Sequence, residues 1–238
     1  MSGYQLSRFE RLAYSEGRAA PAPALYRSAG FGGRPMPRHD AVVKRTADIV
    51  LALLGLALLA VPIMMAILFI RLTSRGPAIF AQERIGLNGR RFVMLKFRTM
   101  RHAAENRGSC PQAIRHDPRV TRIGALLRRT SFDELPQLIN VLAGSMSLVG
   151  PRPHAPGTCA AGRPFESITQ RYAARHSVKP GMTGLAQVRG WRGETDTEEK
   201  LIHRIDSDLE YIATWSLGGD LLIICRTVVT VLQMPNAY

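Results

Sequence analysis

Hydrophobic and polar positions follow three rhythms along this chain, and each predicts a different kind of element. From Ile49 to Ile70 the chain is uncharged and apolar for 22 residues. Ala78–Gln82 and Arg91–Arg98 are short, largely apolar runs on either side of Asn88-Gly89, which predicts two short strands about a turn there. Later stretches carry apolar residues at helical spacing: Arg122–Arg129, a segment through Leu138, Ile139, Val141 and Leu142, Glu198–Tyr211, and an amphipathic stretch at Asp220–Leu232. Packed core and a membrane surface are both open to that last stretch. Residues 154–177 show no rhythm and read as irregular, and Gly181 and Gly184 could let the following loop approach a ligand closely.

The uncharged run has the length of a membrane helix, which needs roughly 20 apolar residues. Pro62 divides it, however, and the 13 residues before it extend only about 20 Å as helix against a hydrocarbon core of about 30 Å. Lys44-Arg45 precede the run and Arg71 and Arg75 follow it, so charge does not favour opposite sides. A re-entrant helix-break-helix with both ends cytosolic meets all three facts, and a kinked span is the alternative. Asp48, at the apolar boundary, is spaced to pair with Lys44 or Arg45. The expected fold class is α+β, mainly helical: a small membrane-associated domain with a re-entrant membrane helix, short strands and amphipathic interfacial helices. Residues 1–40 form a flexible basic extension, 41–75 the re-entrant segment and 76–238 the domain on the cytosolic face.

Charge narrows the partners. A formal net charge of +14 points to a polyanion: nucleic acid, an anionic membrane face or phosphorylated substrates. Cys110, Cys159 and Cys225 show no zinc-ligand spacing and no disulfide framework, so reduced thiols are expected. Met1–Asp40 has no apolar core of the kind a cleavable signal needs.

The densest chemistry lies in Ser131-Phe-Asp-Glu-Leu-Pro-Gln-Leu138. Pro136 fits only the first turn of a helix, which puts the start near Phe132 or Asp133 and the carboxylates of Asp133 and Glu134 at its positive end. Gly144 ends that helix. A structural reading exists, since Ser131-x-x-Glu134 matches a capping box. The company favours chemistry: arginines from Arg119 to Arg129 upstream and Gly150-Pro-Arg-Pro153 downstream, where flanking prolines stiffen Arg152 for bidentate phosphate contact. Lys96 and Arg98 share one strand face, as solvated surface or as a phosphate contact.

Six motifs in order then carry a resemblance: Lys-Arg before a Pro-broken apolar segment, Lys-Phe-Arg-Thr-Met100, Asp-Pro-Arg-Val-Thr121, Asp-Glu-Leu-Pro-Gln137, Gly-Pro-Arg-Pro153 and Lys-Pro-Gly-Met-Thr-Gly184. Over about residues 41–235 the chain resembles the bacterial sugar transferases, the monotopic phosphoglycosyl transferases acting on polyprenyl phosphate. Gly-Pro-Arg-Pro-His-Ala155 and Gly-Trp-Arg-Gly-Glu-Thr-Asp-Thr197 look most like the undecaprenyl-phosphate glucose phosphotransferases of exopolysaccharide synthesis. The multi-span N-terminal module of larger members is not expected here, which would make the chain a catalytic core.

That resemblance implies transfer of a hexose 1-phosphate from a UDP-sugar to undecaprenyl phosphate with release of UMP, on the cytosolic face of the bacterial inner membrane. It makes Asp133 the nucleophile of a covalent phosphosugar intermediate, and Asp133 with Glu134 the ligands of Mg²⁺. It makes Arg128 and Arg152 holders of substrate phosphates, with Lys96 and Arg98 beside them, and Asp208 a further active-site acid. Glucose is the first expectation and galactose the second, because residues 156–170 depart from the glucose group's pattern. The implied partners are the UDP-sugar, undecaprenyl phosphate and inner-membrane lipids; a homodimer is left open and nucleic acid is not expected. A catalytically inactive membrane scaffold and a basic membrane-anchored adaptor are the rival readings.

Overall fold

The apolar run folds as two helices. The computed structural model describes residues 36–101, 118–193 and 195–233, the Leu232 side chain excepted. Nearly all of the expected basic extension and of the loop at 101–118 lies outside the described residues. Helix α1 spans Arg38–Leu58 and α2 spans Ala60–Thr73, and the pair bends by 62°. The sequence places the break at Pro62, but it falls at Leu59. A proline ring collides with the carbonyl one turn before it, so the helix yields there. Pro62 itself then sits in the first turn of α2, where its missing N–H costs little. Neither helix alone is long and apolar enough to cross a bilayer; the bent pair together meets that length and composition.

One side of α1 is fastened to the rest of the chain. Ala52 packs among Phe92, Met94, Leu138, Val141 and Met146. Asp48 does not pair with Lys44 or Arg45, although helical spacing permits it. Its buried carboxylate accepts from Ser147 Oγ at 2.8 Å and from the Leu148 N–H at 3.0 Å. Lys44 donates instead to Asp220 at 2.6 Å, and Arg45 to the Val141 and Leu142 carbonyls at 2.6 and 2.8 Å. Those carbonyls lie in the last turn of a helix, where a cation satisfies otherwise unpaired acceptors. The opposite sides of α1 and α2 expose Leu58, Val61, Met64 and Leu72.

Strands β1 (Ile79–Ile85) and β2 (Arg91–Phe97) form an antiparallel hairpin from Ile79↔Phe97 to Ile85↔Arg91. Asn88 and Gly89 both take positive φ, 55° and 72°, as a tight hairpin turn requires. Helix α3 (Arg122–Arg129) begins at Thr121, whose hydroxyl accepts from the Gly124 N–H at 2.9 Å. Gly124 lies directly against Thr99: a Cβ there would sit 2.1 Å from the Thr99 carbonyl oxygen. Helix α4 (Gln137–Ala143) follows and closes at Gly144, φ 86°.

Beyond it come β3 (Ser147–Val149), the two-residue strands β4 (Cys159–Ala160) and β5 (Arg163–Pro164), α5 (Phe165–Ile168) and β6 (Gly181–Thr183). Strand β6 pairs in parallel with β3. Gly181 serves that pairing, since a Cβ on it would meet the Gly150 nitrogen at 2.1 Å; the close approach is to the chain's own backbone. The stretch 154–177, expected to be irregular, buries Phe165 and Tyr172 in a cluster with Ala160, Leu201 and Ile205. Of the cysteines expected to be reduced, Cys225 is a free thiol and Cys159 is disulfide-bonded. The remaining described elements are α6 (Leu185–Val188), α7 (Glu198–Ala213) and α8 (Leu217–Gln233). One side of α8 is packed core, with Ile223 on Val149 and Tyr211, and its other side exposes Leu221, Leu222, Val228 and Val229. Helix and strand are thus mixed, with helix predominant.

Candidate active site

The Asp133-Glu134 pair does not sit in the first turn of α4. Phe132–Glu134 form a single 3-10 turn, and the α-helix begins only at Gln137. Ser131 is the cause: its backbone is left-handed (φ 57°, ψ 14°), which turns the chain before the helix can start. Its side chain caps nothing, so the capping box is not formed. Its Oγ instead accepts from Arg192 at 3.0 Å, bringing that residue against the carboxylates' turn.

Glu134 is enclosed. Lys96 Nζ, from β2, donates to Oε1 at 3.1 Å. Arg152, from the Pro-Arg-Pro segment after β3, grips both oxygens: one terminal nitrogen on Oε2 at 3.2 Å and the other on Oε1. Burial pushes the Glu134 carboxyl up, but Arg152 and Lys96 outweigh it and hold the group well below the ordinary carboxylate range. Glu134 is therefore a fixed anion. Burial lowers the Lys96 ammonium in turn, with Glu134 opposing.

Asp133 has the opposite surroundings. No hydrogen bond or ion pair from a described residue engages its carboxylate. Burial, and then the neighbouring Glu134 charge, push its pKa up to about 6, against Lys96, Arg128 and Arg152. Two adjacent carboxylates are thus driven apart in acidity, the signature of a divided pair of roles. Arg128, in the last turn of α3, has its Nε on Thr99 Oγ1 at 2.9 Å, which sets the direction of its guanidinium.

Arg84 and Arg192 join this cluster and escape a reading of short motifs. Arg84 lies on the same face of the hairpin as Lys96, and burial, then the Arg152 charge, lower it to about 10. The hairpin register would have found it: pairing Phe80 with Lys96 puts Gln82 and Arg84 on that face. Arg192 had no such signal, because its partner lies 61 positions away.

Two expected residues lie elsewhere. Arg98 follows the end of β2 and turns to the end of α2, donating to Ser74 O at 2.9 Å, Ser74 Oγ at 2.7 Å and Arg75 O at 2.8 Å. Two-residue alternation fails for it because β2 ends at Phe97. Asp208, on α7, is buried and accepts from Arg175 Nε at 2.9 Å and a terminal nitrogen at 2.7 Å. Neither hydrogen-bonds to the carboxylate pair, so the structure gathers Asp133, Glu134, Lys96, Arg128 and Arg152, and commits Arg98 and Asp208 to other parts of the protein.

A cation fits the pair. Asp133 is a half-buried carboxylate that no cation among the described residues hydrogen-bonds, and Mg²⁺ typically takes one or two carboxylates with phosphate oxygens and water completing its shell. No cluster of three His, Cys, Asp or Glu side chains forms among the described residues, so the remaining ligands would come from substrate and water.

Comparison with known proteins gives a consistent set. A family model described as bacterial sugar transferase matches residues 39–234. The UDP-glucose:undecaprenyl-phosphate glucose-1-phosphate transferase of Caulobacter vibrioides is 51% identical over 207 residues, covering 87% of this chain and 76% of that protein. The Escherichia coli protein of the same name is 48% identical over 194 residues, covering 82% of this chain and 41% of its own length. Exopolysaccharide production protein PSS of Rhizobium leguminosarum bv. phaseoli is 48% identical over 199 residues, covering 84% of this chain and all of that protein.

Proposed function

Because the chain belongs to the bacterial sugar transferase family, we propose that it transfers glucose 1-phosphate from UDP-glucose to undecaprenyl phosphate at a membrane surface, releasing UMP. The observation that carries this reading is the contrast within one turn: a fixed Glu134 anion beside an Asp133 carboxylate that no described residue engages. The relatives' names supply the substrates. The face of the membrane, taken as cytosolic, follows from where UDP-sugars are made, and galactose remains the second sugar to test. The apolar, bent α1–α2 pair would seat the domain at the headgroup level where a lipid phosphate resides.

The chemistry divides into two displacements. An Asp133 carboxylate oxygen attacks the β-phosphorus of UDP-glucose, and the bond to the bridging oxygen breaks with its electron pair, leaving UMP and an aspartyl phosphoglucose. A phosphate oxygen of undecaprenyl phosphate then attacks the same phosphorus, restoring the Asp133 carboxylate and forming the diphosphate-linked lipid sugar. Both steps bring anion to anion. Arg128, Arg152, Lys96 and Arg84 would offset that repulsion in a buried site, where fixed charges count for more than in water. Arg152 and Lys96 hold Glu134 ionised, and the Glu134 charge keeps Asp133 basic enough to attack. Mg²⁺, held by Asp133 with Glu134 able to add an oxygen, would neutralise phosphate charge when bound.

The direct test is UMP release by the full chain in detergent with undecaprenyl phosphate, Mg²⁺ and UDP-glucose, run in parallel with UDP-galactose. UMP that requires both lipid and metal supports the transferase. No UMP from any UDP-sugar, with folded protein and lipid present, would put the inactive scaffold ahead. A pH profile adds a second check. Only the ionised Asp133 attacks, so kcat/KM rises with pH through a value at or below about 6 and is lost as pH falls through it. Because Mg²⁺ competes with the proton for that carboxylate, more Mg²⁺ moves this limb to lower pH. A limb that ignores Mg²⁺ concentration would remove Asp133 from the metal's ligands.

A further inference from the structure

Behind the Pro-Arg-Pro segment lies a buried chain of polar groups that the reaction above does not use. Arg175, in the 3-10 turn Gln170–Ser177, is one of the most completely buried side chains of the described residues. A buried guanidinium is costly unless every side of it is satisfied. Here Asp208 Oδ2 accepts from its Nε at 2.9 Å and from a terminal nitrogen at 2.7 Å. The other terminal nitrogen meets His154 Nδ1 at 2.8 Å. Arg175 can only donate, so Nδ1 is the acceptor, which places the His154 proton on Nε2. Burial, then the Arg175 charge, push the His154 pKa well below its ordinary value, consistent with a neutral ring. The nitrogen shared with Asp208 also donates to the Arg152 carbonyl oxygen at 2.7 Å.

That last bond gives the network a direction. Arg152 is the residue whose guanidinium grips Glu134, and its backbone is fixed on either side by Pro151 and Pro153. Pro151 and Pro153 offer no N–H, so the segment is held largely through its carbonyls: Pro151 O accepts from the Gly181 N–H at 2.9 Å and His154 O from the Ile85 N–H at 3.0 Å. Arg175 adds the side-chain hold between them, on the carbonyl of Arg152 itself. His154, next in the chain after Pro153, gives it a second hold.

We propose that Arg175 and Asp208 are positioning residues for the transfer: Asp208 holds Arg175, and Arg175 holds the Arg152 main chain so that its guanidinium meets Glu134. This rests on the reading of Arg152 given above. It reassigns Asp208 from a substrate contact to a support one residue removed. A misplacement of about 1 Å in such a group can cost about a hundredfold in rate.

The test must separate positioning from folding. Removing one member would strand the other's charge, so the informative variant is the pair Arg175→Met/Asp208→Leu, which replaces the ion pair by apolar side chains of similar size. It is made with Arg152 intact and again with Arg152→Ala, and kcat, KM and the thermal midpoint are measured for all four proteins, wild type included. The expected result is a fall in kcat of about 10- to 100-fold with folded protein when Arg152 is present, and little further fall when Arg152 is already Ala. Equal factors in the two backgrounds would overturn the relay, as would full activity in a folded pair variant or a loss that only follows loss of folded protein. If Arg152→Ala alone leaves kcat unchanged, the role given to Arg152 falls first and takes the relay with it.

Discussion

Asp133→Asn is expected to abolish UMP release, with turnover down by at least about a thousandfold, while the protein becomes no less stable and resists heat slightly better. Both halves come from one feature. Asn has nearly the shape of Asp but no nucleophilic oxygen anion, so the first displacement has no attacking group. The stability half follows from the sign of the Asp133 shift. Burial and the Glu134 charge raise its folded pKa to about 6 from an ordinary value of 3.8. The folded protein therefore binds the Asp133 proton more tightly than the unfolded chain. The group's stabilising contribution is full below the unfolded pKa and is lost as pH rises through about 6. At neutral pH the ionised carboxylate is a burden on the order of a few kcal/mol at most, and a neutral amide removes part of it. UMP assays and thermal unfolding of wild type and variant, at pH 7.5 and at pH 5, would read both. The stability advantage of the variant should shrink at the lower pH. An Asp133→Asn protein that keeps a tenth of wild-type turnover would rule out Asp133 as the nucleophile.

An activity gain and a stability cost in one residue is what the proposed role of Asp133, a carboxylate held without a hydrogen-bond donor among the described residues, would entail. The neighbouring Glu134 shows the alternative. Same turn and same chemical class, yet Arg152 and Lys96 close around it and its charge is secured. The candidate site is built on this asymmetry, and it could be read only in part from the sequence. Asp133, Glu134 and Arg152 stand out because each sits in a short string whose spacing is set by prolines. Lys96 follows from strand alternation. Those signals are local.

What was not legible depends on contacts between distant segments. Arg84 needs the hairpin register, Arg192 needs the fold of the segment after β6, and Arg175 lies in a stretch whose sequence has no clear period. The partners of Arg98 and Asp208 were not legible for a related reason. A charged residue near a motif declares its type but not its partner, and here the partners are the end of α2 and a buried guanidinium. Asp48 repeats the lesson at the apolar boundary: helical spacing offered it Lys44 and Arg45, and strand β3 supplied better donors. The bend in the apolar run was legible as an event and displaced in position, because proline acts on the turn before it. The helix at Asp133 was displaced in the other direction, because nothing in Ser131 announces a left-handed backbone.

Asp220→Leu should be the most destabilising single change outside the site, and it tests how α1 is held. Asp220, in the first turn of α8, is buried and accepts from three side chains: Lys44 at 2.6 Å, Tyr211 at 2.9 Å and Trp215 at 3.1 Å. Lys44 and Tyr211 also both reach the Val149 carbonyl, the last of β3 and three residues before Arg152. Leucine fills the space but leaves a nearly buried ammonium with no counter-charge and the Trp215 N–H without its acceptor. Stranding one half of a buried pair costs about 3–5 kcal/mol, enough to unfold much of a marginally stable domain. The Arg189–Glu210 pair serves as control. Its two hydrogen bonds, both 2.6 Å, are as short as the one between Lys44 and Asp220, but its side chains are 41% and 48% exposed. Water already satisfies both partners, so Glu210→Gln should leave the thermal midpoint where it is. If the two variants lose equal stability, bond length rather than burial would be deciding the energetics. If Asp220→Leu alone is destabilised and Lys44→Met restores much of the loss, the cost lies in the stranded cation, and the junction between α1, β3 and α8 is held by charge that water cannot reach.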